Sequence, residues 1–122
     1  MELSLKGLNI LIIGGDRREV ELCNHLHKMG AAVGMYGFSD SIIVSEKHLV
    51  QELALSAELN RAHVIITPLQ GIEDEGLVYT PFFEGQVKIS DIQKDLQEGT
   101  LLLAGYISPL IKESLRYKKI VI

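Results

Sequence analysis

Hydrophobic positions along this chain keep two rhythms. Unbroken apolar runs, each stopped by glycine or proline, alternate with stretches where apolar residues return every three or four positions. The first run is Asn9–Ile13, closed by Gly14-Gly15, and the second is Ala32–Tyr36, ended by Gly37. A third covers 63–67 and stops at Pro68, a fourth covers 101–104 and stops at Gly105, and a fifth is 119–122. Runs without alternation read as strands buried on both faces.

Between the runs the period is helical. Residues 17–29 carry Val20, Leu22, Cys23, Leu26 and Met29 on one stripe, and Gly30 stops them in the C-cap position. Ser45 is expected to cap a helix from Glu46 to about Leu59, with Leu49, Val50, Leu53, Ala54 and Ala57 on one side. Ser90-Asp91-Ile92-Gln93 has the form of a capping box and predicts a short helix ending near Gly99. In Ser108-Pro109 a capping serine precedes a proline at the first helical position, which predicts a helix reaching about Tyr117. Residues 71–85 break the alternation. There Ile72-Glu73-Asp74-Glu75-Gly76 is an acidic turn, and the short runs 77–80 and 86–89 are expected to pair as a hairpin outside the main sheet.

Strands alternating with helices predict an α/β fold. The expected form is a Rossmann-like or flavodoxin-like three-layer sandwich with right-handed crossovers. Its mainly parallel sheet would have five strands in the order 2-1-3-4-5, with a small hairpin-like insertion at about 72–89. In such sheets ligands lie beyond the carboxyl ends of the strands. Loops 14–18, 37–41, 68–71 and 105–108 gather there, each with a glycine. The whole chain, 1–122, reads as a single domain. Its apolar end at Ile120-Val121-Ile122 is expected of a fragment cut at a domain boundary, because natural termini are usually polar.

Composition narrows the picture. With 122 residues, 47% hydrophobic and 23% charged, the chain is long enough for one real core. A net charge of −4, with basic residues only in pairs such as Arg17-Arg18 and Lys118-Lys119, argues against a nucleic-acid partner. The single cysteine excludes an internal disulfide and fits a reducing compartment. The first residues lack the basic start and apolar core of a signal peptide, and no run approaches the ~20 residues that span a bilayer, so no membrane role is expected.

The chemistry concentrates in the glycine loops. Gly14-Gly15-Asp16-Arg17-Arg18 departs from G-x-G-x-x-G, since Asp16 and Glu19 stand where glycines are required and no ribose-binding acid follows the second strand. It lacks the Gly-Lys-Ser/Thr of a phosphate-binding P-loop as well. Backbone N–H groups of the loop are expected to hold a small anion, with Arg17 or Arg18 as countercharge. The alternative is that Asp16 caps the helix and the arginines are solvated. Thr67 and Gln70 at the third strand's end are candidates for polar ligand contacts, the alternative being a simple strand-ending turn, and Gly105-Tyr106-Ile107-Ser108 offers a hydroxyl and a helix N-terminus, or helix capping alone.

Other chemistry-bearing residues read as structural. His25 and His27 sit about 200° apart around a helix, and His48 and His63 have no ligand-spaced neighbours, so no metal site is expected. Cys23 lies on the apolar stripe and reads as packing. Phe82-Phe83 is either a lid or docking patch, or a pair folded down onto the sheet.

Three motifs together carry a resemblance. Ile12-Ile13-Gly14-Gly15-Asp16-Arg17-Arg18, Val64-Ile65-Ile66-Thr67-Pro68-Leu69-Gln70-Gly71 and Gly105-Tyr106-Ile107-Ser108-Pro109 resemble, in order and spacing, the N-terminal domain of the A-type subunit of dipicolinate synthase. The acidic, glycine-rich insertion after the middle motif agrees. The resemblance spans nearly all of this chain but about the first two-fifths of a family member. It implies an NAD(P)-dependent oxidoreductase that makes dipicolinate from a dihydrodipicolinate-type intermediate of the lysine pathway during sporulation. It also implies a cytoplasmic setting in the mother cell of a sporulating bacterium. The implied partner is the synthase's flavoprotein-like B-type subunit; a homo-oligomer stays open.

By likeness to two-domain 2-hydroxyacid dehydrogenases, this substrate-side domain would line a cleft for a small dicarboxylate. NAD(P) would sit on the missing C-terminal domain, with none bound by this chain alone and no turnover from it alone. Gly14, Gly15, Asp16, Arg17, Pro68, Gly71, Gly105 and Ser108 are the expected substrate-binding residues; catalytic residues stay unassigned. Two rivals differ in class. A non-catalytic ligand-sensing or protein-interaction α/β domain has the same pattern, although Asp16 lacks the acidic neighbours of a phosphorylated receiver. A free-standing enzyme would need a general base, and only Asp16 is near the cleft.

Overall fold

The computed structural model describes residues 4–38, 44 and 47–117. Four strands form the main sheet: β1 (Asn9–Ile13), β2 (Ala32–Tyr36), β3 (Val64–Ile66) and β6 (Leu101–Leu103). They lie in the order β2-β1-β3-β6, every neighbour parallel. In that register Ile13 stands beside Tyr36, and Ile12 beside Ile66. The expected fifth strand at 119–122 lies outside the described residues.

Helix α1 (Arg17–Lys28) covers one face, and α2 (Glu52–Arg61), α3 (Ile89–Gln93) and α4 (Pro109–Tyr117) contribute to the core of the other. Strand side chains point alternately to the two faces, and the core divides accordingly. Ile10 and Ile12 pack with Cys23, Val33 and Met35, while Leu11 and Ile13 pack with Leu59, Ile65, Ile92, Leu102 and Leu115. Buried unbroken apolar runs are thus what a sheet with helices on both sides requires. Among the described residues no helix is long and apolar enough to cross a membrane.

The insertion is a two-stranded antiparallel hairpin, β4 (Leu77–Val78) with β5 (Val87–Lys88), as the short runs suggested. Its connecting loop turns both phenylalanines inward. Phe83 packs on the core containing Tyr36, with ring centroids 5.7 Å apart, and Phe82 packs on the other beside Phe38, at 6.5 Å. The pair therefore straddles the end of the sheet and is neither a free lid nor an exposed patch.

Two helix expectations need correction. The second helix starts at Glu52, not Glu46; Ser45 and Glu46 themselves lie outside the described residues. Residues 48–50 instead run along the outer edge of β2. Met35 N–H donates to His48 O at 2.7 Å, Val50 N–H donates to Met35 O at 2.8 Å, and Leu49 forms a parallel bridge with Met35. The open N–H and C=O groups of an edge strand outcompete the helical spacing. Consequently Leu53 is fully exposed, Ala54 and Ala57 are exposed too, and the helix faces the core through Leu55 and Leu59. Nor does Ser90 cap α3: that helix begins at Ile89, has no side-chain cap at Lys88, and ends at Gln93 rather than near Gly99. Ile89 and Ile92 are both buried, so tertiary packing sets this short helix.

Candidate functional site: the carboxyl edge of the sheet

Loop 14–18 leaves the end of β1 through two glycines with φ of +73° and +115°, a region side-chained residues avoid. Asp16 then caps α1. Its carboxylate accepts from Arg18 N–H at 2.9 Å, and the Glu19 carboxylate accepts from Asp16 N–H at 3.2 Å, completing a reciprocal capping box. The Asp16-x-x-Glu19 spacing marks this helix start in the sequence itself.

The two arginines differ. Arg18 folds back on Asp16, its Nε at 3.1 Å from one carboxylate oxygen and its Nη2 at 3.0 Å from the other. This fork holds the Asp16 carboxyl down at about 2, first through the Arg18 side-chain hydrogen bond and then through the Arg18 backbone bond. Arg17 is exposed and forms no ion pair among the described residues. Glu19 is buried, and loss of water around it pushes its carboxyl upward.

The backbone half of the expected anion cradle is already occupied. Gly14 N–H donates to Tyr36 O and Gly15 N–H donates to Tyr79 O, each at 2.8 Å. Tyr79 follows β4, so the hairpin insertion is strapped across the loop. A Cβ on Gly14 would lie 2.7 Å from Tyr79 O and 2.8 Å from a Val78 methyl group, so the glycine also makes room for the strap. The sequence held no signal for Tyr79, because this contact joins residues far apart in the chain.

The loops after β3 and β6 meet at the same edge. Ile72 N–H donates to Tyr106 O at 2.7 Å, Ser108 N–H donates to Ile72 O at 2.8 Å, and Ile72 bridges Ile107 in parallel. This short extension of the sheet explains two glycines. At Gly71, with φ of +84°, a Cβ would strike Tyr106, and at Gly105 it would collide with the Leu69 carbonyl. Pro68 is buried, and its carbonyl accepts from Gly71 N–H at 3.1 Å. Thr67, expected to offer a ligand contact, donates its hydroxyl to Leu103 O at 3.0 Å, whereas Gln70 is exposed. Ser108 is buried and caps α4, accepting from Ile111 N–H through its hydroxyl at 3.3 Å, as the Ser-Pro pair predicted. Of the eight expected residues, all line this edge of the sheet. Gly14, Gly15, Asp16, Pro68, Gly71, Gly105 and Ser108 are engaged in building it, which leaves Arg17 facing solvent.

Two of the histidines and the cysteine act structurally. His48 is buried with Nδ1 3.1 Å from Val33 O, and His63 Nδ1 accepts from Asn9 N–H at 2.9 Å. Burial pushes the Cys23 thiol up to about 11, so at neutral pH it is an inert packing residue.

The sequence profile for the N-terminal domain of the dipicolinate synthase A-type subunit matches residues 9–122. The chain belongs to this family. Solved family structures agree. The A-type subunit of dipicolinate synthase from Bacillus halodurans superposes with a TM-score of 0.81 at 19% identity, over 97% of this chain and 40% of that one. Its counterpart from Bacillus subtilis gives 0.73 at 26% identity, over 99% and 41%. The chain thus spans about two-fifths of these relatives. The fold recurs in an NADPH-dependent glyoxylate/hydroxypyruvate reductase from Sinorhizobium meliloti, with a TM-score of 0.60 at 14% identity over 93% of this chain and 44% of that one. No curated protein matches the chain. This chain therefore shares its α/β fold with part of that reductase.

Proposed function

We propose that this chain forms the substrate side of a dipicolinate synthase. It would work with a nicotinamide cofactor, NAD or NADP, carried by the part of the protein that its relatives have beyond this length. Membership of the family supports the reaction class, and the absence of G-x-G-x-x-G from loop 14–18 supports a cofactor site elsewhere. The observation that carries the site is the inequality of the two arginines. Arg18 is neutralised by Asp16, while Arg17 stands unengaged by any ion pair among the described residues. A small dicarboxylate intermediate of the dihydrodipicolinate type would meet Arg17 through one carboxylate, at the positive end of α1. Asp16 and Glu19 position that helix start and take no part in hydride chemistry. The synthase's B-type subunit is the proposed protein partner, and the mother-cell cytoplasm of a sporulating bacterium is the proposed setting.

Titration calorimetry with dipicolinate as the probe tests the site. Arg17→Ala should weaken binding about tenfold, the loss of one charge-assisted contact of ~1.4 kcal/mol. Arg18→Ala should weaken it less than threefold. Equal losses in the two variants would remove Arg17 from its role. The chain should also show no turnover and no tight NADPH binding. A sub-micromolar NADPH affinity would place the cofactor here and overturn the reading.

A further inference from the structure

The strap that crosses loop 14–18 turns its side chains alternately, as extended backbone does. Val78 is buried, and a Cβ on Gly14 would lie 2.8 Å from a Val78 methyl group and 2.9 Å from the Thr80 methyl group. Both neighbours of Tyr79 therefore face the loop, and Tyr79 is turned the other way. Its carbonyl is held by Gly15 N–H at 2.8 Å, while its side chain is 41% exposed. Beyond it, Phe82 and Phe83 anchor the hairpin to the two cores, so the backbone under this ring is tied on both sides. The phenol also lies near the start of α1: the Arg18 guanidinium is pushed upward first by its bond to Asp16, with Tyr79 as a smaller electrostatic contributor.

We propose that Tyr79 is the aromatic wall of the Arg17 site and selects a planar ring over an open-chain dicarboxylate. The inference rests on the substrate-side reading given above and adds a specificity-determining residue to it. Arg17 answers to a carboxylate whatever carries it. The Gly14 and Gly15 amides and the Thr67 and Ser108 hydroxyls are engaged within the fold, which leaves ring shape to be read by a side-chain surface. Tyr79 is the exposed aromatic side chain strapped to the loop that carries Arg17. The other exposed tyrosine of this edge, Tyr106, follows β6, two strands away from β1. An offset-stacked ring would bury its flat face against the phenol, a contact that an acyclic dicarboxylate cannot match.

The experiment is titration calorimetry of the chain with dipicolinate and with glutarate, whose two carboxylates are likewise joined through three atoms. Tyr79→Leu should weaken dipicolinate about fivefold and glutarate less than twofold, whereas Tyr79→Phe, which keeps the ring, should leave both within twofold. Arg17→Ala should weaken the two ligands by similar factors. The strap contact uses the Tyr79 backbone carbonyl, so it survives either change of side chain. In NMR spectra the dipicolinate ring protons should shift upfield on binding to the unaltered chain and to Tyr79→Phe, and less with Tyr79→Leu. Equal losses for both ligands in Tyr79→Leu are what a merely structural role would give, and they overturn the proposal. Dipicolinate binding that needs Arg17 but is unmoved by Tyr79→Leu overturns the aromatic wall alone. No dipicolinate binding by the unaltered chain overturns the site and the wall together.

Discussion

The amide of Gly15 donates to the carbonyl of Tyr79 at 2.8 Å, tying the first glycine loop to the hairpin inserted 64 residues later. The loop beneath the candidate site is thereby held closed by protein. Its glycines serve packing first, so any charge presented at this edge comes from side chains.

Alanine at Gly15 should therefore be costly. Its φ of +115° is unfavourable for any side chain, and the new methyl would collide with buried Glu19. Left-handed strain and overpacking together should destabilise the chain by about 2–4 kcal/mol, measured by urea unfolding. Exchange of the Gly14 and Gly15 amides with solvent should accelerate with it. A loss under ~0.5 kcal/mol would mean that the strap and loop shift freely.

Gly105→Ala tests the second loop junction by a different cause. No positive φ is involved; the methyl would meet the Leu69 carbonyl, which is backbone. We expect a loss of about 2–3 kcal/mol. The Ile72 and Ser108 amides, which bond across this junction, should lose protection first in hydrogen exchange. Protection unchanged at both would contradict the packing assigned to Gly105.

Acid should loosen the start of α1 through Asp16. Its carboxyl titrates at about 2 in the fold against 3.8 ordinarily, so the unfolded chain binds the proton more readily. Stability from this group is present above about pH 4 and falls as pH drops towards 2. Buried Glu19 works the other way: its raised carboxyl favours the protonated fold, so its contribution declines as pH rises above the ordinary carboxylate range. Asp16→Asn should flatten the acid limb of a stability-versus-pH curve, while Glu19→Gln should flatten the region above it. An acid limb of unchanged slope in Asp16→Asn would refute the assignment.

Ser108→Ala removes the α4 cap and should cost about 1 kcal/mol, whereas Ser108→Gly should cost only a few tenths. Thermal unfolding distinguishes the two. Equal losses would show that the hydroxyl matters through something besides capping.

Much of this was legible in the residues themselves. Asn9–Ile13 and Ala32–Tyr36 announce themselves as buried strands through unbroken apolar runs, and Gly30 and Ser108-Pro109 mark helix ends by local backbone preference alone. Motif order was enough to point to the family. Local signals misled where a distant partner competed for the same backbone. Residues 48–50 have helical spacing but pair with the free edge of β2, and Ser90 has capping chemistry but sits inside a helix set by buried Ile89 and Ile92.

The sequence by itself determined the alternation of strands and helices, the glycine turns at the carboxyl edge and the family. Each rests on short-range sterics or on the period of apolar residues. Only the tertiary structure decided that Gly14 and Gly15 spend their amides on Tyr36 and Tyr79. It also set Arg18 against Asp16 and left Arg17 open, and it turned Phe82 and Phe83 onto opposite cores. Such choices depend on which backbone and side-chain groups meet across the fold, and no local pattern carries that information.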